Sequence, residues 1–418
     1  MILILVSPRQ RTLDLRAALG EELGRTLILT GGPLPVGAED AVSTVSLAQY
    51  DTDGIVAAGL HLAERHRIER VVSYAESDVI AAARLRELLG VKGQRPVSAA
   101  AYRDKALMRR HAAAAGLHGP RSWCVEQASQ VRAFAEVHGM PVVLKPRSAS
   151  GSVGVRILED GAAIRALPES LPNHIVEEYV PGAVVHVDGL MVAGKPVFAL
   201  PAAYTEAGCL AHLEDQGSGS SLLAPDHPWY APLTEELWKV VRALPSAEDL
   251  LLHAEFFVSE GRDPVLCEIA SRLPGHPIPP MLDRALGTGL QQVWTRVAAG
   301  LEVDTEALSA RAGEGRSVAN YGLPPRLGTL ASLPESPPPE CARWVHDLAT
   351  GHAPGDVWDV ERYARRKSGD FVLTWTVTAP DSATLEDRLN RSAQLLEERV
   401  EWKQSTERGG ADSKAVSP

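Results

Sequence analysis

Two glutamates in an apolar hairpin have the spacing of a divalent-metal site. Leu251–Val258 and Pro264–Ile269 are apolar runs typical of strands, and the polar turn between them contains a glycine. Pairing the strands about the centre of that turn places Glu255 opposite Glu268, with Cβ atoms about 4.5–5.5 Å apart on one face. Two carboxylates at that distance repel each other unless a cation lies between them. The spacing therefore predicts a site for Mg²⁺, which prefers oxygen ligands.

The same register predicts further neighbours of the two glutamates. It pairs Val258 with Val265, and alternation along the second strand puts Ala270 and Arg272 on the face of Glu268. A guanidinium group beside carboxylates suits a phosphate that shares the metal. A register shifted by one residue would instead turn the glutamates to solvent, and the sequence leaves that alternative open.

A lysine followed by small residues predicts a phosphate-binding loop. Lys145 ends the apolar run Pro141–Leu144, and a second strand-like run, Val153–Leu158, comes after the loop. The small loop residues that we expect to contact phosphate are Ser148, Ser150, Gly151 and Ser152. Small side chains let backbone amides approach phosphate oxygens, and the lysine adds a charge. The loop matches neither GxxxxGK[ST] nor GxGxxG, and such a stretch alone is often a linker. Its place between two strands favours a hairpin flap.

Composition limits the classes of protein to which the chain could belong. Its 418 residues predict two or three domains, and a hydrophobic content of 45% is typical of a globular protein. A net charge of −11 argues against nucleic-acid binding. The four cysteines are scattered, which predicts a reduced, cytoplasmic protein without a zinc site or disulfides. No window approaches the ~18 apolar residues of a membrane span.

The first 100 residues alternate between strand and helix patterns, as in an α/β domain. The predicted strands are Ile2–Val6, Thr26–Thr30 and Arg70–Tyr74, and the predicted helices are Leu13–Leu23, Ile55–Arg65 and Val79–Leu89. Glu76 and Asp78 follow the third of these strands, at the sheet edge where open α/β sheets bind ligands. Each could cap the next helix or contact a substrate ammonium group, and capping is the favoured interpretation for Asp78.

The rest of the chain supplies the elements around the hairpin and the loop. Helices are predicted at Ala106–Ala115, Ser129–His138 and Thr384–Trp402, and strands at His174–Val180 and Phe371–Thr378. A second small-residue stretch, 216–221, predicts a mobile loop over the substrate site, although a disordered excursion is equally compatible. His212 in that region could touch substrate or simply pack, as could Tyr204. The last residues, 405–418, are predicted to be disordered.

In order and spacing, several of these segments resemble the ATP-grasp superfamily. They are Tyr102–Ala115, the Lys145 strand, the SASGSVG loop, Ile175–Gly182 (IVEEYVPG), Glu255 and the CEIASR run. The similarity is greatest to the branch of carboxylate–amine, or amino-acid, ligases. It implies an α/β (α+β) fold with four parts. These are a Rossmann-like domain at 1–100, an ATP-grasp domain at 101–310 with a flap at about 120–182, an α+β subdomain at 311–405, and a disordered tail at 406–418.

The resemblance also implies roles for particular residues. Lys105 and Lys145 would reach the nucleotide phosphates, Glu255 and Glu268 would bind Mg²⁺ or Mn²⁺, and Arg272 would stabilise an acyl phosphate or bind the substrate carboxylate. Around the adenine, the implied ATP-binding residues are Glu177, Glu178, Tyr179 and Val180, with Glu177 contacting the amino group. In the substrate pocket, the implied residues are Glu76 near the amine, Arg272 and His276.

The sequence departs from the family pattern at two positions. Val184 stands where many members have a ribose-binding glutamate, and His186 is a polar residue nearby that could replace it or simply be buried. Ala270 stands where many members have an asparagine that binds a second metal ion. These departures leave ribose recognition and the full set of metal ligands open.

The resemblance implies ATP-dependent ligation of a small carboxylic acid to an amine through an acyl phosphate, with release of ADP and phosphate. Its cofactors would be ATP and Mg²⁺ or Mn²⁺. The partners would be small molecules, with no nucleic acid or membrane and with a possible homodimer. Two other functions stay open at this stage: an ATP-grasp phosphotransferase with a hydroxyl acceptor, and a nucleotide-binding protein without catalysis.

Overall fold

A parallel sheet lies at the start of the chain. The computed structural model describes residues 1–8, 13–205, 217–366 and 369–403. The sheet has the order β3-β2-β1-β4 and comprises β1 (Ile2–Val6), β2 (Thr26–Thr30), β3 (Ser43–Ser46) and β4 (Arg70–Val72). Every residue of β1 and β2 is buried, as expected for apolar strands covered on both faces. The predicted strands are confirmed, although the third is shorter than expected, and β3 was missed because its sequence STVS is short and polar.

Thirteen α-helices lie within the described residues. They are α1 (Leu15–Leu19), α2 (Thr52–Ala63), α3 (Val79–Leu88), α4 (Pro96–Ala101), α5 (Lys105–Ala114), α6 (Ala128–His138), α7 (Gly161–Arg165), α8 (Tyr230–Ala243), α9 (Ile278–Leu286), α10 (Leu290–Ala299), α11 (Thr305–Gly313), α12 (Val360–Ala364) and α13 (Ser382–Glu397). Short 3-10 helices span Gly20–Arg25 and Ala38–Asp40. Of the helices in the described ranges, none is long and apolar enough to cross a membrane.

A small antiparallel sheet carries the predicted phosphate loop. Its order is β5-β8-β6-β7, with β5 (Ser122–Gln127), β6 (Val142–Pro146), β7 (Arg156–Leu158) and β8 (Ser170–Glu178). β6 and β7 pair as a hairpin, with Val142 opposite Leu158, so the predicted hairpin around the loop is confirmed. Val131 and Phe134 of α6 are fully buried in the small core beneath the sheet.

The largest sheet has eight strands in the order β13-β12-β9-β10-β11-β14-β18-β16. The strands are β9 (Ala183–Val192), β10 (Lys195–Tyr204), β11 (Ser218–Leu222), β12 (Leu250–Val258), β13 (Val265–Ala270), β14 (Ser317–Leu323), β16 (Val345–Thr350) and β18 (Leu373–Ala379). A third antiparallel sheet is formed by β15 (Gly328–Ser332), β17 (Val357–Trp358) and β19 (Glu401–Lys403).

The two faces of the eight-stranded sheet have different partners. On one face Val185, Val187 and Phe256 pack in a core with α5 and α8. The other face is apolar at one end, where Leu190 and Leu251 pack in a core with α9 and α10. Towards its other end the same face becomes polar. The polar end of this face can therefore hold charged and hydrogen-bonding side chains, while the apolar end packs in the core.

Two sequence-based expectations about this region are wrong. Residues 218–221 were expected in a mobile loop but belong to β11, which pairs with β10 and β14. Glycine permits this pairing, because a Cβ at Gly219 would lie 2.1 Å from the Asn320 carbonyl oxygen. The helix expected to reach Trp402 ends at Glu397, since Trp402 pairs with Leu330 in the third sheet. The predicted tail, 406–418, and position 216 of the predicted loop lie outside the described residues.

We expect Phe256→Ala to destabilise the protein by about 3–5 kcal/mol, because Phe256 is fully buried between the sheet and α8 and its loss leaves a cavity. Guanidinium unfolding followed by circular dichroism measures the change. Val360→Ala is the control, since that side chain is 74% exposed and should change stability by less than about 0.5 kcal/mol. Equal effects of the two substitutions would contradict the packing of this face.

Candidate active site

The cross-strand pair of glutamates is present as the sequence predicted. In the antiparallel pairing of β12 with β13, Glu255 lies directly opposite Glu268. The predicted pairing of Val258 with Val265 is wrong, because the register shifts beyond Glu255 and Phe257 faces Val265 instead. A β-bulge on β13 absorbs one extra residue between the glutamate pair and the turn. The predicted pairing of the two glutamates is therefore correct, although the predicted register is wrong nearer the turn.

Lys105 joins the glutamate pair to the flap loop. Asp104 caps α5 by accepting hydrogen bonds from the first turn, which fixes Lys105 as the first helical residue. The Lys105 Nζ lies 2.9 Å from Glu268 Oε2 and donates to the Ala149 carbonyl oxygen at 3.0 Å. Burial alone would raise the pKa of Glu268, but Lys105 and Lys145 outweigh it and hold that pKa at about 2. Glu268 is therefore an ionised carboxylate at neutral pH.

A buried ion triad lies behind this contact. Arg109, one helical turn after Lys105, donates to Glu177 from Nε at 2.8 Å and from Nη2 at 3.3 Å. Lys145 Nζ lies 2.6 Å from the same carboxylate. Burial would raise the pKa of Glu177, but Arg109 and Lys145 lower it on balance. The sequence reasoning missed Arg109, although its i+4 spacing from Lys105 is a usable signal.

The predicted adenine segment is ordered by ion pairs of its own. Both oxygens of Glu177 are bonded to Arg109 or Lys145, so its contact with an adenine amino group stays a prediction. Glu178 pairs with Arg121 at 2.8 Å, and Tyr179 is 43% exposed just beyond the end of β8, followed by half-buried Val180.

Gly182 lets the chain turn from the adenine segment into β9. Its φ is 131°, and a Cβ there would lie 2.3 Å from the Val258 carbonyl oxygen. Only glycine permits so close an approach of two backbones. The end of the predicted adenine segment therefore lies against the end of β12.

The flap loop lies against the start of α5. Lys105 donates its backbone N–H to the Arg147 carbonyl oxygen at 3.0 Å. Arg147 in turn bonds Asp104 through Nε at 3.1 Å and Nη2 at 2.5 Å. Gly151 and Ser152 have left-handed φ values of 63° and 57°, which produce the tight turn at the tip of the loop. Ser148, Ser150 and Gly151 are exposed and Ser152 is half-buried; their contact with phosphate stays a prediction.

Arg272 lies between the hairpin and the parallel sheet. Its Nε donates to Glu76 Oε2 at 2.7 Å, and Arg103 donates to Glu76 Oε1 at 3.1 Å. Two guanidinium groups thus occupy the carboxylate that was predicted to bind a substrate ammonium group. This arrangement supports a role for Glu76 in orienting Arg272. His276 is exposed on the turn that leads into α9.

Asp78 does not cap α3 as the sequence favoured. It occupies the N-cap position, but its side chain makes no capping hydrogen bond. The carboxylate is fully buried, accepts from the Ser77 hydroxyl at 2.7 Å and also interacts with the Tyr50 hydroxyl. Burial raises the pKa of Asp78 to about 7. The prediction was wrong because the Asp78 side chain points into the protein interior and does not reach the backbone N–H groups of the first helical turn.

The polar end of the sheet contains two histidines and a tyrosine near Glu255. Tyr204 donates to Glu255 Oε1 at 2.8 Å. His186 is fully buried and bonded to Asp188, so it is not available to contact a ribose from the surface. His253 shares the same aspartate. His212 lies outside the described residues.

The donor set fits a divalent ion bound with phosphate. Glu255 and Glu268 supply two carboxylates on one face, which is the chemistry that Mg²⁺ and Mn²⁺ prefer. Glu268 is paired here with a lysine ammonium, which shows that this position attracts positive charge. The neighbouring cations Lys105, Lys145 and Arg272 suit the oxygens of a polyphosphate.

Comparison with known proteins identifies the fold. No family model matches the chain. It is 27% identical over 393 residues to the uncharacterized protein y4rH of Sinorhizobium fredii, covering 87% of this chain and 74% of that protein. It is 24% identical over 315 residues to the L-arginine-specific L-amino acid ligase of Bacillus subtilis, covering 73% of each. The L-amino acid ligase structure from Bacillus licheniformis superposes with a TM-score of 0.71 at 16% identity, over 96% of this chain and 99% of that one.

The chain has the ATP-grasp fold. Its similarity is to ligases of the carboxylate–amine branch that the sequence motifs indicated.

We expect Glu177→Gln to cost about 3–5 kcal/mol of stability, because it leaves two buried cations without a carboxylate. Glu178→Gln, next in sequence, removes only the more exposed pair with Arg121 and should cost less than about 1 kcal/mol. Urea unfolding measures both.

The same pair of variants gives a pH test. The folded-state pKa of Glu177 lies below its ordinary value, so its stabilisation is present above the unfolded-state pKa and is lost as pH falls through the folded-state pKa. The stability gap between wild type and Glu177→Gln should therefore narrow in acid. A gap that widens in acid would contradict the ion triad.

Proposed function

We propose that this chain is an ATP-dependent carboxylate–amine ligase that forms an amide or peptide bond through an acyl phosphate. The observation that carries the proposal is the position of Glu255 and Glu268 on one face of the sheet, with Lys105 bonded to Glu268. Arg272 lies beyond them, towards the parallel sheet. In this arrangement Glu255 and Glu268 would bind the metal ion and Lys105 would bind phosphate. Arg272 would bind the reacting acid.

The relatives support small acids and amines as substrates, and amino acids as the first class to test. One sequence relative is named for ligation of L-amino acids with specificity for L-arginine, and the superposed structure is also an L-amino acid ligase. Two cations, Arg103 and Arg272, border the position of Glu76. A guanidinium group there favours a substrate that presents a carboxylate to this end of the site.

Nucleotide binding would exchange partners among charges that are already present. Lys105 is bonded to Glu268 in this structure, and Lys145 is bonded to Glu177. If Glu268 bound a divalent ion, Lys105 would lose this partner and its ammonium group would be able to bind a phosphate oxygen. Lys105 and Lys145 are each paired with a carboxylate, which avoids leaving buried charges without partners.

The proposed reaction has two steps. In the first step, a carboxylate oxygen of the acid attacks the γ-phosphorus of ATP. The bond between that phosphorus and the β,γ-bridging oxygen breaks, and ADP leaves. A divalent ion, when bound, neutralises charge on the phosphate oxygens. Lys105 and Lys145 stabilise the phosphoryl group as it is transferred. In the second step the amine nitrogen attacks the acyl carbon, the carbon–oxygen bond to phosphate breaks, and the nitrogen loses a proton.

The flap would protect the acyl phosphate from water. Its loop already contacts α5 through Arg147 and Asp104, and the Lys105 ammonium donates to the Ala149 carbonyl oxygen. These contacts hold the small residues of the loop over the phosphate-binding lysine. Exclusion of water matters because water competes with the amine for the acyl carbon.

The direct test is a screen of L-amino acid pairs, with other small acids and amines, for release of ADP and phosphate and for the mass of the product. Ligation predicts equal amounts of ADP, phosphate and amide. Transfer to a hydroxyl acceptor would give ADP and a phosphorylated product without free phosphate, and ATP binding without turnover would give neither. Either result across the whole screen would contradict the proposal.

We expect Glu268→Gln to reduce ADP release by at least about 100-fold with every active substrate pair, because one of the two carboxylates that would neutralise the metal is lost. The coupled assay for ADP measures this loss. Glu260→Gln, in the exposed turn of the same hairpin, is the control and should leave the rate within about twofold. Full activity in Glu268→Gln would remove the metal assignment.

A further inference from the structure

A tyrosine reaches one glutamate of the cross-strand pair from a strand that is not its neighbour. Tyr204 lies on β10 and Glu255 lies on β12, and β9 runs between these two strands. Neighbouring strands are about 4.8 Å apart, so two long side chains are needed to meet across β9. The Tyr204 hydroxyl donates to Glu255 Oε1 at 2.8 Å. The proposed reaction assigns no task to this hydrogen bond.

The strand register places the tyrosine, the glutamate and a histidine on one face. Glu255 lies directly opposite His186 in the pairing of β12 with β9, and His186 lies opposite Ala202 in the pairing of β9 with β10. Opposed residues share a face, and Tyr204 follows Ala202 by two residues, so it points to that face as well. The Tyr204 ring packs against the His186 imidazole, with centroids 4.8 Å apart. His186 therefore supports the ring that crosses β9.

Asp188 fixes the His186 ring in turn. His186 Nδ1 lies 2.8 Å from Asp188 Oδ2, and His253 Nδ1 lies 2.8 Å from Asp188 Oδ1. Burial would raise the pKa of Asp188, but His253 and His186 outweigh it and lower that pKa. An ionised carboxylate only accepts hydrogen bonds, so each Nδ1 donates. Because His186 and Asp188 are fully buried, the imidazole beneath Tyr204 has a fixed orientation.

The two glutamates have partners of different charge. Glu268 is paired with the Lys105 ammonium at 2.9 Å, whereas Glu255 accepts from a neutral hydroxyl. A divalent ion repels an ammonium group, so its binding would displace Lys105 but not a hydroxyl. A carboxylate has about four lone-pair sites, so Glu255 can bind an ion and keep the hydrogen bond from Tyr204. Such partners orient metal-binding carboxylates in other proteins.

We propose that Tyr204 is a positioning residue for the divalent ion, because its hydroxyl holds the Glu255 carboxylate towards Glu268 and keeps that bond when the ion is present. This inference rests on the proposed function only for a nucleotide-bound ion at the glutamate pair. It differs from the substrate contact that the sequence left open for Tyr204. A tyrosine that touched the substrate would change the affinity for the acid or the amine and leave the binding of the ion unchanged.

Calorimetry of a non-hydrolysable ATP analogue, with and without Mn²⁺, tests this role without relying on catalysis. Tyr204→Phe should reduce the gain in analogue affinity that Mn²⁺ provides by about 10–100-fold and leave binding of the metal-free analogue within about twofold. Tyr74→Phe is the matched control, since it removes a hydroxyl hydrogen bond of the same length, 2.8 Å, to Thr295 of α10. That control should keep the whole gain from Mn²⁺. An unchanged gain in folded Tyr204→Phe would overturn the proposal.

A double-mutant cycle tests whether the hydroxyl acts through the glutamate. Glu255→Gln should itself reduce the gain from Mn²⁺, because it removes a carboxylate ligand. If Tyr204 acts only by orienting that carboxylate, Tyr204→Phe should cause no further loss beyond about twofold in the Glu255→Gln protein. Losses that multiply in the double variant would contradict a positioning role through Glu255.

A second measurement needs no variant, and it decides the question if Tyr204→Phe fails to fold. In crystals of the wild-type protein with Mn²⁺ and the analogue, the Tyr204 hydroxyl should still donate to Glu255, with Lys105 moved away from Glu268. A tyrosine turned away from an ion-bound Glu255 would overturn the proposal.

The outcomes separate this inference from the proposed function. Loss of the gain from Mn²⁺ in Tyr204→Phe, together with no ADP release by the wild-type protein from any substrate pair, would support the positioning role and contradict the ligase. Release of ADP, phosphate and amide, together with an unchanged gain from Mn²⁺ in Tyr204→Phe, would support the ligase and contradict the positioning role.

Discussion

Two carboxylates placed opposite each other on neighbouring strands need positive charge between them. Several elements of this protein position a lysine that supplies that charge. Glu255 and Glu268 have that relation, and Lys105 contacts Glu268 in this structure. The capped start of α5 fixes the position of the lysine, and the flap loop accepts a second hydrogen bond from its ammonium group. Because like charges repel at this spacing, a lysine that leaves for a phosphate must be replaced by another cation.

Apolar packing of the eight-stranded sheet offsets the electrostatic repulsion within this charged cluster. One face is apolar along its length against α5 and α8, and the opposite face changes from apolar to polar along the same strands. Leu190 and Asp188, two residues apart on β9, mark that change: the first packs with α9 and α10, and the second bonds two histidines. The apolar packing stabilises the strands, and the strands fix the positions of the charges that repel one another.

Sequence patterns predicted what depends on local order and missed what depends on distant contacts. The pairing of Glu255 with Glu268 follows from alternation and the turn between two short strands, and it tolerated a bulge that the pattern did not reveal. The bond between Arg109 and Glu177 joins residues 68 apart, so the helical spacing of Arg109 from Lys105 indicates its face but not its partner. Asp78 has the position of a helix cap, but its environment, which only tertiary packing sets, turns the side chain inward. The family resemblance supplied the fold, because the order of several weak motifs is more specific than any one of them.

Anomalous diffraction at the manganese edge, from crystals grown with Mn²⁺ and a non-hydrolysable ATP analogue, tests the central claim most directly. We predict a peak between the carboxylates of Glu255 and Glu268, at coordination distance from both, with the triphosphate beside it and Lys105 moved from Glu268 to a phosphate oxygen. A bound analogue whose manganese lies away from both glutamates, with Lys105 still on Glu268, would contradict the claim.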